Sequence, residues 1–390
     1  MNFRTLIELY DNRPLENVLC VDIFRPEQVI YICSQDTPPT AEKQLKRYFD
    51  HRGIKVHMRF IRTDLFDVQV ILGQLRSLLQ AAPDVAIDIT GGTDAVLFAV
   101  GLACAEFPVP VLTYSQKQNR FYNIQDASFA HQVDGYVTLS VEDCFLMAGG
   151  SLRKGRVDNS ILVKYLDDID PFFRLFLKHR TRWDRIVTWI QRVSPADENG
   201  QYSLDIHGGY TVKGDRGARI PAPEEALRDL EDIRMISDLR IQPEESVSFR
   251  FRDRQIRAWL RDVGSVLELF VYKSCFDSGL FDDVITSAVV DWNGTKRNSA
   301  VSNELDVMCT RGVIPVFISC KTSPVRTEAL NELAILRDRF GGKMARAALV
   351  TAERAGSPAR NRAAELDIRI IDLNDIQDGD IQTNLRSLMV

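Results

Sequence analysis

Short apolar runs that alternate with helical patterns over residues 28–125 restrict the possible folds more than any other feature of this sequence. Parallel strands cannot be joined by a tight turn, so each pair needs a crossover, which is usually a helix. The alternation therefore predicts a parallel sheet covered by helices, as in a Rossmann-like domain. The predicted strands are Gln28 to Cys33, Lys55 to Ile61, Val85 to Ile89 and Val109 to Tyr114. The predicted helices are Thr40 to His51, Val68 to Leu79 and Ala95 to Ala105.

The last third of the chain has a different order of elements. A helix over Trp259 to Phe276, with apolar residues at helical spacing, precedes three consecutive strands. A helix over Arg326 to Phe340, a strand, a further helix and a last strand follow, so the order is α-β-β-β-α-β-α-β. The predicted strands are Val284 to Trp292, Asn303 to Cys309, Val313 to Lys321, Ala345 to Thr351 and Ile368 to Leu373.

A smaller region separates these two patterns. The chain of 390 residues is too long for one hydrophobic core and suits two or three domains. Phe172 to Val193 has helical spacing and Gly208-Gly209 suggests a turn between short strands, which predicts a linker with a small helical or winged-helix-like insert. We therefore divide the chain into residues 1–150, 151–245 and 246–390.

Composition excludes several classes of protein. No apolar run reaches 18 residues, so we expect no membrane span, and no secretory signal is evident. The seven cysteines include no Cys-x-x-Cys pair, and the five histidines lack ligand spacing. We expect reduced core cysteines, no structural zinc site and a cytoplasmic protein. A net charge of −5 argues against a protein that coats duplex nucleic acid, although it leaves room for a local basic groove.

The most informative polar residues lie on two neighbouring predicted strands. Glu304 and Asp306 precede a turn at Thr310-Arg311-Gly312, and Ser319 and Lys321 end the following apolar strand. Period-2 geometry places all four on one face, and a hairpin centred on Arg311-Gly312 would set Glu304 across from Ser319. Carboxylates bind Mg²⁺ or Mn²⁺, and a lysine adds positive charge beside a scissile phosphate. The alternative is that these are solvated strand residues without a catalytic role.

This layout resembles the PD-(D/E)xK nuclease superfamily, whose restriction-endonuclease-like core is αβββαβ. The resemblance implies that Asp306 and Lys321 are the catalytic Asp and Lys, and that Glu268 is the glutamate of the preceding helix. The metal ligands would be Glu268, Asp306 and the backbone carbonyl of Cys320. Ser319 stands where the family has Asp or Glu, and we hypothesise that Glu304 supplies the missing oxygen.

A second set of candidates lies in two loops that follow predicted strands. Thr90-Gly91-Gly92-Thr93 joins a strand to a helix, where glycine allows close approach and free N–H groups can bind phosphate. Ser34-Gln35-Asp36-Thr37 follows the first predicted strand. Both loops would lie at the carboxyl edge of the sheet, where ligands bind in open α/β folds. A capped turn without a ligand is an equally good reading of the first loop.

The whole chain resembles the nucleases of type III CRISPR systems that carry a CRISPR-associated Rossmann-fold (CARF) domain. Three segments carry the likeness: Leu6 to Asn12, Asp88 to Thr93, and the strands holding Asp306 and Lys321. The resemblance implies a homodimer that binds cyclic tetra-adenylate across its two-fold axis. The ligand would be held by Ser34, Gln35, Thr37, Thr90, Gly91, Gly92 and Thr93. Binding would activate cleavage of a DNA or RNA substrate with Mg²⁺ or Mn²⁺.

Two other functions fit the same residues. The chain would be a constitutive repair or restriction endonuclease if its first domain served only dimerisation. It would be a non-catalytic cyclic-oligoadenylate sensor if the serine at position 319 had ended metal catalysis. Basal cleavage without a ligand separates the first alternative from the leading hypothesis, and metal binding at Asp306 separates the second.

Overall fold

The computed structural model describes residues 3–81, 84–115, 118–132, 137–153, 159–196, 202–214, 217–292, 302–379 and 381–389. These residues form four sheets and the helices that cover them. The strands are β1 Thr5–Leu9, β2 Gln28–Ser34, β3 His57–Thr63, β4 Val85–Asp88, β5 Val111–Ser115, β6 Arg120–Asn123, β7 Asp126–Gln132, β8 Ser151–Arg153, β9 Asp205–Gly209, β10 Thr211–Lys213, β11 Arg219–Pro221, β12 Ile236–Gln242, β13 Ser246–Phe251, β14 Asp283–Asp291, β15 Ser302–Arg311, β16 Ile314–Lys321, β17 Arg346–Thr351 and β18 Arg369–Ile371. The helices are α1 Leu19–Phe24, α2 Thr40–His51, α3 Val68–Ala81, α4 Asp94–Glu106, α5 Val141–Met147, α6 Asn159–Leu162, α7 Leu166–His179, α8 Trp183–Val193, α9 Glu224–Asp232, α10 Arg254–Leu260, α11 Ser265–Asp277, α12 Thr327–Gly341, α13 Ser357–Glu365, α14 Leu373–Gln377 and α15 Ile381–Ser387. One of the four sheets is the two-stranded pair of β10 and β11.

The N-terminal sheet confirms the predicted Rossmann-like fold. Its strand order is β3-β2-β1-β4-β5-β6-β7, and the strands from β3 to β5 are parallel. The central strand β1 was missing from the predicted strands, because its five residues show no alternation of apolar and polar side chains. Since β1 lies between β2 and β4, the loops after these three strands meet at one edge of the sheet.

The C-terminal sheet confirms the predicted α-β-β-β-α-β-α-β order. Its strand order is β18-β17-β16-β15-β14-β8, with β14, β15 and β16 antiparallel and β16, β17 and β18 parallel. The helix predicted over Trp259 to Phe276 is in fact two helices, α10 and α11. They are separated because the Asp262 carboxylate accepts hydrogen bonds from the backbone N–H of Gly264 and of Ser265 and so starts a new helix.

The middle region forms a winged-helix-like unit rather than a loose linker. Helices α7 and α8 precede a three-stranded antiparallel sheet of order β12-β13-β9, with α9 between β9 and β12. The boundary predicted between residues 245 and 246 divides this sheet, since β13 begins at Ser246. The preceding boundary is also displaced, because β8 at Ser151–Arg153 pairs with β14 of the C-terminal sheet.

Two apolar cores hold the three units together. One core joins the side chains of the middle region to the face of the C-terminal sheet that α11 covers. The other runs without interruption from the N-terminal sheet through α5 to the opposite face, which α12 covers. Phe145 of α5 contacts Phe317 of β16 and Phe340 of α12 in this second core, at ring-centroid distances of 6.5 and 4.8 Å. Among the described residues, no helix is long and apolar enough to cross a membrane.

Candidate active site and ligand loops

The hairpin formed by β15 and β16 brings the predicted catalytic residues together. Arg311 pairs with Ile314 across a turn at Gly312 and Val313, and Gly312 has a positive φ of 57° that favours glycine. This register continues to Asp306 opposite Ser319. The prediction that Glu304 faces Ser319 is therefore wrong, because the turn lies one residue further along the chain than expected.

The Asp306 carboxylate collects three donors on one oxygen. Oδ2 accepts hydrogen bonds from the Ser319 hydroxyl at 3.0 Å and the Cys320 backbone N–H at 2.6 Å, and it lies 3.3 Å from the Lys321 ammonium. Burial alone would lower the pKa of Lys321, but its attraction to Asp306 outweighs burial and raises that pKa. Lys321 therefore remains charged, and its positive charge stays at the end of the strand.

Glu268 approaches the same place from α11. The Ser287 hydroxyl donates a hydrogen bond to its Oε2 at 2.8 Å. Burial and the nearby negative charge of Asp306 raise the pKa of Glu268 to about 8. A carboxyl group with such a pKa is mostly protonated at neutral pH, and positive charge beside it favours its anion. Glu268 and Asp306 thus supply hard oxygen ligands of the kind that fit Mg²⁺ or Mn²⁺.

Ser287 is a site residue that the sequence did not reveal. It lies inside β14 with a φ of 50°, between the pairs that Thr286 and Ala288 make with β15. A non-glycine residue in this left-handed region costs about 1–3 kcal/mol, and such strain concentrates at functional sites. The strained backbone orients the Ser287 hydroxyl toward Glu268. Nothing in the sequence marks this position, because the strain depends on the fold.

The four predicted polar residues line one small cleft between β15, β16 and α12. Glu304, Asp306, Ser319 and Lys321 form its strand side. The Cys320 side chain is buried in the apolar core, and burial raises the pKa of its thiol. Cys320 does not line the cleft, so its backbone carbonyl, and not its thiol, remains the candidate metal ligand that the family resemblance implies.

Most basic side chains near the cleft already form hydrogen bonds with other groups of the protein. The sequence places Arg326, Arg337, Arg339, Lys343, Arg346, Arg354, Arg360 and Arg362 between the end of β16 and α13. The Lys343 side chain lies outside the described residues. Five of the arginines hold backbone carbonyls or polar side chains of the protein: Arg337, Arg339, Arg346, Arg360 and Arg362. Arg326 and Arg354 are exposed and are the better candidates for phosphate contacts.

The Thr90–Thr93 loop lies where β4 meets α4. A Cβ at Gly91 would lie 2.8 Å from the Leu9 carbonyl oxygen, and Gly92 has a φ of 98°. Both glycines are therefore needed for the loop to pack on the end of β1. Thr90 is tied down, since its backbone N–H and hydroxyl both donate to the Asp88 carboxylate. Thr93 is exposed at the start of α4 and its hydroxyl makes no capping bond there.

The Ser34–Thr37 loop follows β2 at the same edge. Gln35 is exposed, Ser34 is half-buried and its hydroxyl accepts a hydrogen bond from the Asp36 N–H, whereas Thr37 is 7% exposed. The loop after β1 lies between the two predicted loops. There the Asp11 carboxylate accepts hydrogen bonds from Arg13 and from the Gly92 N–H. Asp11 and Arg13 were absent from the predicted site because β1 was not predicted.

Comparison with known proteins gives one family match for the C-terminal domain and several solved structures that share the fold. Residues 255–389 match the sequence model of the Card1-like endonuclease domain, and no curated protein matches the chain. The fold is shared with VC1899 from Vibrio cholerae, at 18% identity over 98% of this chain and 97% of that chain, with a TM-score of 0.76. It is also shared with Can2 from Sulfobacillus thermosulfidooxidans in complex with cyclic tetra-adenylate, at 16% identity, 99% and 97% coverage and a TM-score of 0.71. A type III CRISPR defence DNA nuclease activated by cyclic oligoadenylate matches at 14% identity over 96% of this chain and 48% of that chain, with a TM-score of 0.51.

Proposed function

We propose that this chain, whose residues 255–389 form a Card1-like endonuclease domain, is a metal-dependent nuclease of type III CRISPR defence that cyclic tetra-adenylate activates. The observation that carries the proposal is the cleft in which Asp306, Ser319 and Lys321 meet at the end of a β-hairpin. Its substrate is DNA, with single-stranded RNA as a second candidate. The fold shared with Can2, which binds cyclic tetra-adenylate, supports the activator.

The proposed catalytic roles follow from the charges in the cleft. Glu268, Asp306 and the Cys320 carbonyl would hold the ion, whose chemistry is to lower the pKa of a water and to clamp phosphoryl oxygens. Lys321 keeps its proton and places positive charge beside the scissile phosphate. Ser319 donates a hydrogen bond to Asp306 and so orients that carboxylate instead of adding a charge. Glu304 lies two residues before Asp306 in the same cleft and remains our candidate for the additional oxygen.

The proposed ligand site lies at the carboxyl edge of the N-terminal sheet. Ser34, Gln35 and Thr93 present accessible polar groups, and Gly91 and Gly92 bring the backbone close. The first turn of α4 has free N–H groups, which attract phosphate. Thr37 and Thr90 are more deeply placed and act by holding the loops. Thus seven predicted residues divide into those that contact the ligand and those that shape its site.

A homodimer would complete that site. Four exposed apolar side chains lie on α3, on its preceding turn and on α4, and these helices contact each other: Phe66, Val70, Phe98 and Leu102. Exposed apolar groups of this size mark protein contacts. Because α4 begins at the Thr90–Thr93 loop, a second copy packed here would bring two such loops together around a two-fold ligand. A ligand that prefers this paired arrangement would shift the protein toward its active state.

One observation favours a second function, a sensor without catalysis. The three donors on Asp306 already satisfy one carboxylate oxygen, and the serine at position 319 removes a negative charge from the site. A metal ion has to compete with the Lys321 ammonium for Asp306. Metal binding decides between the two functions.

The test uses purified protein with Mn²⁺ and labelled single-stranded DNA, single-stranded RNA or supercoiled plasmid, with and without cyclic tetra-adenylate. Cleavage that requires the ligand and is lost in Asp306→Ala and Lys321→Ala would establish the proposal and identify the substrate. Cleavage regardless of ligand would establish a constitutive endonuclease. Ligand binding without cleavage in any reaction would establish the sensor.

A further inference from the structure

Three acidic side chains meet beneath the Thr90–Thr93 loop, away from the nuclease cleft. Glu8 comes from β1, Cys20 from α1 and Asp88 from the end of β4. One carboxylate or thiol atom of each lies within 4.8 Å of the other two. Glu8 and Cys20 are 0% exposed and Asp88 is 1% exposed. The group is therefore sealed inside the N-terminal domain.

The cluster contains polar atoms without partners. Both carboxylate oxygens of Glu8 and Oδ2 of Asp88 are buried and have no hydrogen-bond partner outside the cluster, so only a proton held between Glu8 and Asp88 satisfies them. Within the described ranges, no lysine, arginine or histidine forms an ion pair with Glu8 or Asp88. Burial and the neighbouring Asp88 raise the pKa of Glu8, so this carboxyl group keeps its proton unless positive charge takes the place of that proton. Glu8 points at Cys20 and Asp88, so that charge belongs between these three side chains.

A second acidic cluster shows what a satisfied arrangement looks like. His179, Glu225 and Asp229 also have ligand atoms within 4.8 Å of one another. There the Lys178 ammonium lies 3.2 Å from Glu225 and 2.7 Å from Asp229, and it neutralises the group. The ligand atoms of Glu8, Cys20 and Asp88 are equally close together, but no lysine pairs with them among the described residues.

We propose that Glu8, Cys20 and Asp88 bind a divalent cation of the zinc type. One thiolate and two carboxylates suit a borderline-soft ion better than Mg²⁺ or Ca²⁺, which prefer oxygen ligands alone. The ion would bind with loss of the Cys20 thiol proton and of the proton that Glu8 holds, and it would offset the negative charges that these losses create. The sequence predicted no structural zinc site because these ligands are separated by tens of residues and belong to no spacing motif.

The ion would also fix the loop above it. The Asp88 Oδ1 atom accepts hydrogen bonds from the Thr90 N–H at 2.8 Å and from its hydroxyl at 2.5 Å. With Oδ2 on the ion, Asp88 would be held from both sides, and the loop would keep its shape before any ligand arrives. Only this consequence rests on the proposed ligand site. The metal site itself stands without it.

The test is cobalt substitution in the full-length protein, produced in cobalt-supplemented medium because the cluster is sealed. Cobalt bound by a thiolate gives a charge-transfer absorption that oxygen ligands do not give, so the nuclease cleft is silent in this measurement. We expect the band and about one retained equivalent of cobalt in the wild type and in Asp306→Ala. Both should be lost in Cys20→Ser and kept in the control Cys144→Ser, which alters another buried cysteine.

Glu8→Gln guards against misfolding, since an amide has the size of the carboxylate. This variant should fold and should retain at least about tenfold less cobalt than the wild type. It should also lack the higher melting temperature expected of wild type produced in zinc-supplemented medium. A folded wild type without the band, or a band that persists in Cys20→Ser, would overturn the proposal. If the folded wild type lacks the band, the carboxyl groups of Glu8 and Asp88 share a proton instead of an ion. Neither result depends on activator or nucleic acid, so it leaves the nuclease proposal untouched.

Discussion

Two groups of buried acids in this protein have opposite surroundings. Asp306 and Glu268 lie at a cleft, and each receives a hydrogen bond from a serine hydroxyl. Glu8 and Asp88 lie in a sealed interior, where Thr90 satisfies a single carboxylate oxygen. The first group can exchange an ion or a substrate with solvent, whereas the second can only hold what was enclosed during folding. Solvent access to the carboxylates, and not the type of ligand alone, distinguishes a catalytic site from a structural site.

Brief chelation is expected to give the largest difference between the two groups. Treatment with EDTA followed by gel filtration should reduce cleavage to background, and added Mn²⁺ should restore it. The ion proposed for Glu8, Cys20 and Asp88 should survive this treatment, as measured by elemental analysis before and after. Cleavage that survives chelation would contradict the difference in solvent access between the two groups. The nuclease cleft would then hold its ion as firmly as the buried cluster of Glu8, Cys20 and Asp88.

Lys321→Ala tests whether the ammonium in the cleft takes part in the reaction. We expect a loss of about 10²- to 10⁴-fold in cleavage rate with an unchanged melting temperature, because a positioned charge near the phosphate is removed. Lys213→Ala, an exposed lysine on β10, is the matched control. Equal rates for Lys321→Ala and wild type would exclude the Lys321 ammonium from the reaction.

Glu268→Gln and Glu8→Gln should change stability in opposite directions. A folded-state pKa of about 8 means that metal-free Glu268 contributes its stability below its ordinary pKa of 4.5 and loses it as pH rises through about 8. Glu268→Gln should therefore stabilise the metal-free protein by roughly 1–3 kcal/mol at pH 9, and hardly at pH 4.5. Glu8→Gln should destabilise the zinc-loaded protein. Denaturant titrations at both pH values measure each effect, and equal behaviour of the two variants would contradict the comparison.

The smallest effect is expected at Thr93. Because its hydroxyl is exposed and caps nothing, Thr93→Val should weaken cyclic tetra-adenylate binding by about 3- to 10-fold without altering the melting temperature. Thr90→Val removes a hydroxyl that donates to Asp88, so it should lower the melting temperature as well. Calorimetric titration and thermal unfolding separate the two, and Thr211→Val on β10 is the control. Unchanged affinity in Thr93→Val would exclude its hydroxyl from the ligand site.

The helices and strands that could be predicted from the sequence are those that bury a continuous apolar face. The hairpin of β15 and β16 is an example, because period-2 alternation and a turn signal put Asp306, Ser319 and Lys321 on one face. Its register was missed by two residues, since a turn can be displaced by one position without changing the pattern on either strand. The strand β1 was missed for another reason: four of its five residues are buried, so side chains on both faces are covered and the segment shows no period-2 alternation.

The sealed cluster lay beyond sequence reasoning altogether. Glu8 was read only as part of a segment that resembles a family, and Cys20 as an ordinary core cysteine. Their approach to Asp88 depends on the packing of α1 over β1 and β4, which no local pattern encodes. Likewise the positive φ of Ser287 occurs inside β14, between two residues that pair with β15. Long-range packing creates both features, so only the folded chain reveals them.

The three-residue strand β8 affects how the protein can be made and divided. During synthesis β8 leaves the ribosome before the whole middle region, and its partner β14 leaves after it. The outer strand of the C-terminal sheet therefore cannot pair until β14 has been made. A fragment that begins at residue 255 would leave one side of β14 without a hydrogen-bonded partner, and such an edge invites pairing between molecules. Genetic exchange of the catalytic unit between relatives therefore has to carry β8 and everything that follows it.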